Sequence, residues 1–205
     1  MISAQARFRA WDRKRRYNSN MALPVPRMTL EEYLTADAVA ERPLEYHDGE
    51  VFPMVDASLS HAMLLTNLSS CLGSRLIGSP CRSAALARVR VNSAKYVYPD
   101  LVVFCGQPTL ASANDPSLTN PKVIFEILSP ATEGYDYNGK FQLYRQLPSF
   151  EEYVLIAQDQ PRVEVFRRLP DDKWVRSTYE GNESTAVIET IDVGIPLSEL
   201  YAQLP

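Results

Sequence analysis

Two acidic residues interrupt apolar segments that have the composition of buried strands. Asp100 stands in segment 98–105 (YPDLVVFC), and Glu126 stands in segment 121–128 (PKVIFEIL). Runs of this length, rich in β-branched and aromatic residues, are typical of strands in a covered sheet. A carboxylate is costly to bury in such a strand unless it is paired. Two carboxylates on neighbouring strands would offer hard oxygen ligands to a cation such as Mg²⁺.

The alternation of side chains along a strand places each carboxylate on a defined face. Asp100 shares its face with Val102, and Glu126 shares its face with Ile124. If the two strands pair, opposed Cβ atoms lie about 4.5–5.5 Å apart, which lets both carboxylates bind one divalent ion. Without the ion, repulsion would raise the pKa of one carboxyl group.

A lysine and a histidine occupy equivalent positions in two predicted amphipathic helices. Lys140 precedes an apolar stripe by three, four and seven residues, and His61 does the same in the helix over 60–78. We therefore expect both side chains to face the sheet. A lysine aimed at a carboxylate pair can stabilise phosphate charge or orient water. The histidine could be a metal ligand, a residue that hydrogen-bonds to a metal-binding side chain, or an acid/base.

Two further acids flank a predicted hairpin. Glu45 and Glu50 lie on either side of Asp48-Gly49, a dipeptide typical of two-residue hairpin turns. Either carboxylate could supply another oxygen to a metal. We favour Glu45, because its neighbours in the strand are of the buried type.

The remaining pattern supplies the elements that would position these residues. Thr29 and Glu32 fit a capping box that starts a short helix. A polar loop is expected over 106–120, between the two carboxylate strands. The other predicted elements are a helix over 60–78, a strand over 84–92, a helix from 135 or 136 to Leu147, a strand over 152–157, a hairpin over 162–167 and 174–179, and a helix over 198–203.

Composition limits the class of protein. A chain of 205 residues suits one domain, and no apolar run is long enough to span a membrane. Its three cysteines have no metal-ligand spacing and are typical of reduced thiols in a cytosolic protein. The first 27 residues carry seven basic residues against one acid, whereas the rest carries 14 basic and 24 acidic residues. The acidic body argues against a general nucleic-acid coat and leaves room for a local basic groove.

The basic leader, residues 1–28, has three interpretations. It could be a nucleic-acid-binding arm or a targeting segment, although no apolar segment of a signal peptide follows it. The interpretation we favour is a disordered extension, or a start codon placed upstream of the true start.

These residues resemble the motifs of the PD-(D/E)XK nuclease superfamily, and within it the Uma-type, restriction-endonuclease-like family. Pro99-Asp100 is similar to the first half of the superfamily motif, and Glu126 matches its second acid. The segments that carry the resemblance to the family are 44–50, 98–100, 125–130, 135–140 and 152–155. The resemblance covers residues 29–203 and leaves the basic leader outside.

The resemblance implies an α/β (α+β) fold with a restriction-endonuclease-like core. Its order is helix, three strands, helix and strand, with extra hairpins at the rim, in one domain over residues 29–205. The superfamily places a lysine two residues after the glutamate, where this chain has Leu128. In such families a lysine from the next helix takes over, and Lys140 is the matching residue.

We therefore expect a Mg²⁺-dependent endonuclease acting on DNA, with Mn²⁺ as an alternative ion. Asp100 and Glu126 would bind the metal, helped by the Ile127 carbonyl and Glu45, and Lys140 would complete the catalytic set. We also expect a cytoplasmic homodimer. The alternative is a nucleic-acid-binding or regulatory module that kept the nuclease fold without its activity, since fold alone does not guarantee function.

Overall fold

The computed structural model describes two compact units. The described residues are 27–130 and 132–205, so the basic leader lies outside them except for its last two residues. The first unit holds residues 27–55 and Asn92–Tyr98, and the second holds Asp56–Val91 and Pro99–Pro205. The single domain over residues 29–205 stays a prediction.

The first unit packs one helix on a small antiparallel sheet. Its elements, numbered along the chain, are α1 (Leu30–Asp37), β1 (Leu44–His47), β2 (Glu50–Pro53) and β5 (Lys95–Val97). The Thr29 hydroxyl accepts from Glu32 N, and the Glu32 carboxylate accepts from Thr29 N, so the predicted capping box is confirmed. The predicted hairpin is also confirmed, because β1 pairs with β2 across Asp48-Gly49, two residues with positive φ.

The second unit contains most of the chain. Its helices are α2 (Leu59–Arg75), α3 (Glu133–Tyr135), a π-helix (Asp136–Lys140), α4 (Phe141–Tyr144), a 3₁₀ turn (Glu189–Ile191) and α5 (Leu197–Leu200). Its strands are β3 (Cys81–Ala85), β4 (Val89–Asn92), β6 (Leu101–Cys105), β7 (Leu110–Ser112), β8 (Asp115–Leu118), β9 (Val123–Leu128), β10 (Glu152–Ala157), β11 (Arg162–Arg168), β12 (Trp174–Glu180), β13 (Thr185–Ile188) and β14 (Val193–Pro196). The last residue of β4, Asn92, is counted with the first unit.

A twisted mixed sheet forms the centre of this unit, in the order β12-β11-β10-β9-β6-β3. β9 and β10 run parallel, and the other neighbours run antiparallel. One face carries Leu101, Phe125 and Val154, which pack in a large apolar core with α2. The opposite face carries the alternate residues, including Glu126, and α4 packs over it through Phe141 and Tyr144. The mixed α/β class is therefore confirmed.

The boundaries of two predicted elements were wrong. The helix expected over 60–78 begins at Leu59, and its cap is Ser58, whose hydroxyl accepts from His61 N at 3.1 Å. The strand expected over 84–92 is two strands, because Leu86 adopts a left-handed turn conformation (φ 51°) between β3 and β4. Apolar residues at 86, 89 and 91 suggested one continuous strand, since period alone does not show a turn.

Two other expectations are corrected in the middle of the chain. The predicted polar loop over 106–120 contains the strands β7 and β8, which pair antiparallel. The helix expected to reach Leu147 ends at Tyr144, and its middle is a π-helix. A π-helix hydrogen-bonds five residues apart, a rare geometry that sequence period does not distinguish from an α-helix.

The cysteine prediction is also corrected. Cys81 and Cys105 form a disulfide, whereas Cys71 is free and buried. The two bonded residues stand directly opposite each other on β3 and β6. Their separation of 24 residues gave no sign of this pairing, because the strand register brings them together.

Candidate active site

The two acidic residues that interrupt apolar strands face each other across neighbouring strands. β6 and β9 pair antiparallel with Leu101 opposite Phe125, and one further step in this register places Asp100 opposite Glu126. Both residues are buried, with exposures of 5% and 2%. The predicted pairing of the two strands is confirmed, and opposed Cβ atoms in such a pair lie about 5 Å apart.

Both oxygens of Asp100 are held by groups from different elements. Oδ1 lies 3.0 Å from Nε2 of His61, which stands in the first turn of α2. Oδ2 accepts a hydrogen bond of 2.7 Å from the main-chain N–H of Ile127 on β9. His61 therefore faces the sheet and contacts a proposed metal ligand, as the helix period indicated. The Ile127 carbonyl as a metal ligand stays a prediction.

Glu126 is held by two side chains from the helical segment over the sheet. Tyr144 donates from its hydroxyl to Oε1 at 2.7 Å, and Lys140 Nζ donates to Oε2 at 2.9 Å. Lys140 is 11% exposed in its side chain, so it does not point to solvent. The structure thus brings together Asp100, Glu126 and Lys140, the three residues predicted to be catalytic.

A third carboxylate, which sequence reasoning missed, completes the site. Asp136 Oδ1 lies 3.1 Å from Lys140 Nζ, in an ion pair without hydrogen-bond geometry. Asp136 is 1% exposed. Its position four residues before the lysine was the available signal, because side chains four apart share one face of a helix.

The π-helix carries both Asp136 and Lys140, and aromatic packing holds it against the sheet. The ring of Phe141 stacks on that of Tyr153 with centroids 5.4 Å apart, and the Tyr153 hydroxyl donates to the Asp136 carbonyl. At Gly139 a Cβ atom would lie 2.3 Å from the ring of Tyr135, so a side chain there would displace the ring. Local unwinding of this kind is frequent at functional sites.

Burial and neighbouring negative charges disfavour the ionised forms of Glu126 and Asp136. Burial raises the pKa of Glu126 to about 8, and the charges of Asp100 and Asp136 add to the effect, although Lys140 opposes it. Burial likewise raises the pKa of Asp136. Lys140 contacts both Glu126 and Asp136, so its one ammonium group can balance only one of these two carboxylates, and a bound cation would stabilise their ionised forms.

The donor set fits a divalent cation held by two carboxylates. In residues 27–130 and 132–205, no three His, Cys, Asp or Glu side chains are arranged to bind a metal together. Mg²⁺ is commonly held through one or two carboxylates, with water and substrate phosphate as its other ligands. Asp100 and Glu126 supply such oxygens, and each oxygen has a second lone pair beyond the hydrogen bond it accepts.

The other two predicted acids lie in the first unit. Glu45 Oε1 accepts from Tyr98 N at 3.3 Å, and Oε2 lies 3.3 Å from His47 Nε2. Glu50 is exposed at the start of β2. The roles of Glu45 as a ligand and of Glu50 near the site stay predictions.

Comparison with known proteins identifies relatives of this chain. The model of the Uma2 family, described as "Putative restriction endonuclease", matches residues 30–198. Two uncharacterized proteins of Synechocystis sp. are similar: sll1609 is 33% identical over 77% of this chain and 90% of its own length, and slr1290 is 28% identical over 88% and 95%.

A solved structure shares the fold. The crystal structure of a putative nuclease belonging to DUF820 from Anabaena variabilis superposes with a TM-score of 0.69 at 18% identity. The match covers 87% of this chain and 99% of that one. No helix in the part of the chain described here is long and apolar enough to cross a membrane.

Proposed function

Because the chain belongs to the Uma2 family, we propose that it is a metal-dependent endonuclease that hydrolyses DNA phosphodiester bonds. The observation that carries this proposal is the opposition of Asp100 and Glu126 on β6 and β9, with Lys140 bound to Glu126. Hydrolysis of a phosphodiester is aided by a cation bound to carboxylate oxygens and by a positively charged side chain near the reacting phosphate.

Each residue has a role that follows from its contacts. Asp100 and Glu126 would hold Mg²⁺ or Mn²⁺, which when bound would stabilise charge at phosphorus and lower the pKa of a water. Lys140 donates to Glu126, and its positive charge would stabilise the attacking water or a phosphate oxygen. His61 orients Asp100, and Tyr144 orients Glu126, so that neither carboxylate rotates freely.

Asp136 positions the lysine. Its Oδ1 lies 3.1 Å from Lys140 Nζ, close enough to hold the ammonium group in place. In this way the helical segment supplies the positive group that the superfamily places two residues after the glutamate, where this chain has Leu128. The carbonyl of Ile127 would be a further ligand of the same ion.

The experiment is a cleavage assay on supercoiled plasmid and on labelled duplex and single-stranded DNA, with Mg²⁺ and with Mn²⁺. Asp100→Asn should lower cleavage about 10³-fold or more, because a proposed ligand of the metal loses its charge. The matched control is Glu152→Gln. Glu152 is equally buried on β10, but its carboxylate accepts from the main-chain N–H groups of Glu189 and Thr190. Cleavage that survives Asp100→Asn would contradict the proposal.

A second candidate is a nucleic-acid-binding or regulatory module without activity. Each of the four oxygens of Asp100 and Glu126 already accepts from or contacts a protein group, which is how a structural carboxylate pair would look. This candidate predicts DNA binding without cleavage in either metal and no metal binding by calorimetry.

The expected assembly is a homodimer with DNA as its partner, and the expected location is the cytoplasm. Light scattering of the purified chain measures the first expectation. A mass near twice 23.1 kDa supports the dimer, and a mass near 23.1 kDa contradicts it.

A further inference from the structure

A second buried glutamate lies on the same sheet face as the site, two strands away. Leu155 on β10 is opposite Glu126 on one side and opposite Glu164 on the other. Neighbouring strands are about 4.8 Å apart, so the backbones at Glu126 and Glu164 are about 10 Å apart. Glu164 is 1% exposed, so it requires partners as much as Glu126 does.

Two arginines and a tyrosine surround Glu164. Oε1 accepts from the Tyr137 hydroxyl at 2.9 Å and lies 2.8 Å from Arg162 Nη2, which also donates to the Tyr137 oxygen at 3.0 Å. Oε2 lies 2.9 Å from Arg176 Nε, in an ion pair without hydrogen-bond geometry. We call Tyr137, Arg162, Glu164 and Arg176 the arginine cluster. Here one carboxylate contacts two arginines, whereas Lys140 contacts two carboxylates, those of Glu126 and Asp136.

Arg176 is the member of the cluster that is available to a ligand. Its side chain is 54% exposed, and its guanidinium lies over the ring of Phe166 at 5.9 Å. It contacts Glu164 through Nε, and no hydrogen bond joins its Nη atoms to any residue that the structure describes. Arg162 is 28% exposed and stands opposite the exposed Glu180 in the strand register, so its charge is more fully balanced.

The π-helix links the arginine cluster to the catalytic residues. Tyr137 follows Asp136 directly in this helix, so adjacent residues contact Glu164 and Lys140. Arg162 stands level with Ala157 and Leu128, and from Leu128 the chain leads to the π-helix. A strand of nucleic acid whose scissile phosphate lies at Glu126 would therefore have a neighbouring phosphate near the arginines.

We propose that Arg176, held by Glu164 and assisted by Arg162, binds a backbone phosphate of the DNA within a few nucleotides of the scissile one. Successive nucleotides rise 3.4 Å along a duplex axis, so a span of about 10 Å between the two glutamate backbones falls within a few nucleotides. An arginine that is anchored by an ion pair can present its terminal N–H groups as a fork that matches two phosphate oxygens. The proposal rests on the proposed function, because it takes the same substrate.

Binding measured over a series of salt concentrations separates this role from a structural one. Fluorescence anisotropy of a labelled DNA duplex is recorded with the full chain in Ca²⁺, so that binding is measured without relying on cleavage. Arg176→Ala should weaken binding about five- to tenfold at low salt and reduce the slope of log K against log salt by about 1. Arg176→Lys should keep the slope and lose part of the affinity, because it keeps the charge without the fork.

The matched control is Arg168→Ala. Arg168 lies on β11 like Arg162, but its guanidinium pairs with Asp172 in the adjoining turn. Its removal should leave both the affinity and the salt slope within twofold of the wild type. Thermal unfolding of each variant confirms that it is folded, and Arg176→Gln replaces Arg176→Ala if the latter is not.

The outcomes distinguish this proposal from the proposed function. An affinity and salt slope unchanged by Arg176→Ala overturn the phosphate contact, even if the wild type cleaves DNA. An Arg176-dependent affinity in a protein that cleaves no substrate supports the contact and overturns the nuclease. Arg176-dependent binding of RNA of the same sequence, with none of DNA, overturns the assignment to DNA.

Discussion

Two buried glutamates on one face of the sheet have opposite surroundings. Glu126 is near Asp100 and Asp136 and has a single lysine partner, whereas Glu164 is contacted by two arginines and a tyrosine. Their burial is nearly the same, at 2% and 1%. The difference is in the type of neighbouring side chain, which is mostly acidic around Glu126 and basic around Glu164. Burial therefore shows that a charged side chain is costly to keep in the fold, and the charges of its partners decide whether the region favours a cation or an anion.

The largest expected difference between the two regions is in cleavage. Glu126→Gln should lower the rate of DNA cleavage about 10³-fold or more, because a proposed metal ligand loses its charge. Glu164→Gln should lower it about tenfold or less, because Arg162 and Arg176 keep their charges and lose only their alignment. Steady-state cleavage of a labelled duplex measures both. Equal losses in the two variants would remove the distinction between the regions.

The lysine should have the next largest effect. Lys140→Ala should lower cleavage about 10²-fold, because the site loses its one ammonium group while both proposed metal ligands remain. Lys122→Ala is the control, since that lysine at the start of β9 forms a half-exposed pair with Glu151. A change in the rate constant with little change in KM supports a role in the reaction step. A rate within threefold of the wild type would assign Lys140 to structure.

Stability should change in opposite directions in the two glutamine variants. The folded-state pKa of Glu126 is about 8 against an ordinary value of 4.5, so the folded protein holds a proton that the unfolded chain has lost. The wild type therefore loses stability as the pH rises from about 4.5 to about 8, and Glu126→Gln should escape this loss. At pH 9 that variant should be more stable than the wild type by the order of a few kcal/mol.

Glu164→Gln should instead be less stable by about 1–3 kcal/mol, since both arginines would lose a charged partner. Urea unfolding of the two variants and the wild type at pH 5 and pH 9 measures the free energies. A Glu126→Gln variant that is less stable than the wild type at pH 9 would mean that the attraction of Lys140 for the Glu126 carboxylate outweighs the cost of burying its charge.

The sequence predicted the Glu126 region far better than the Glu164 region. Asp100 and Glu126 were visible because each interrupts an apolar strand, and Lys140 because it begins an apolar helical stripe. Glu164 stands in a strand in which polar and apolar residues alternate, and an acid in such a pattern is typical of the exposed face. Its burial depends on Tyr137, which arrives from a distant helix, and no local pattern carries that information.

Sequence patterns predicted local structure reliably where neighbouring residues determine the backbone conformation, and less reliably where tertiary packing determines it. The capping box at Thr29 and the Asp48-Gly49 hairpin form as expected, because each is determined by bonds within a few residues. The π-helix, the turn at Leu86 and the Cys81–Cys105 disulfide depend on contacts between distant segments. Asp136 was missed for the same reason, since its burial follows from the packing of the π-helix.

Calorimetric titration with Mn²⁺ tests the central claim most directly, because it measures the affinity of the Glu126 region for a cation without substrate. The wild type and Glu164→Gln should each bind one ion. At pH 7 binding should release nearly one proton, seen as a dependence of the heat on the buffer, because Glu126 with a pKa of about 8 must ionise. Glu126→Gln should show no binding. Equal Mn²⁺ binding by Glu126→Gln and the wild type would contradict the account.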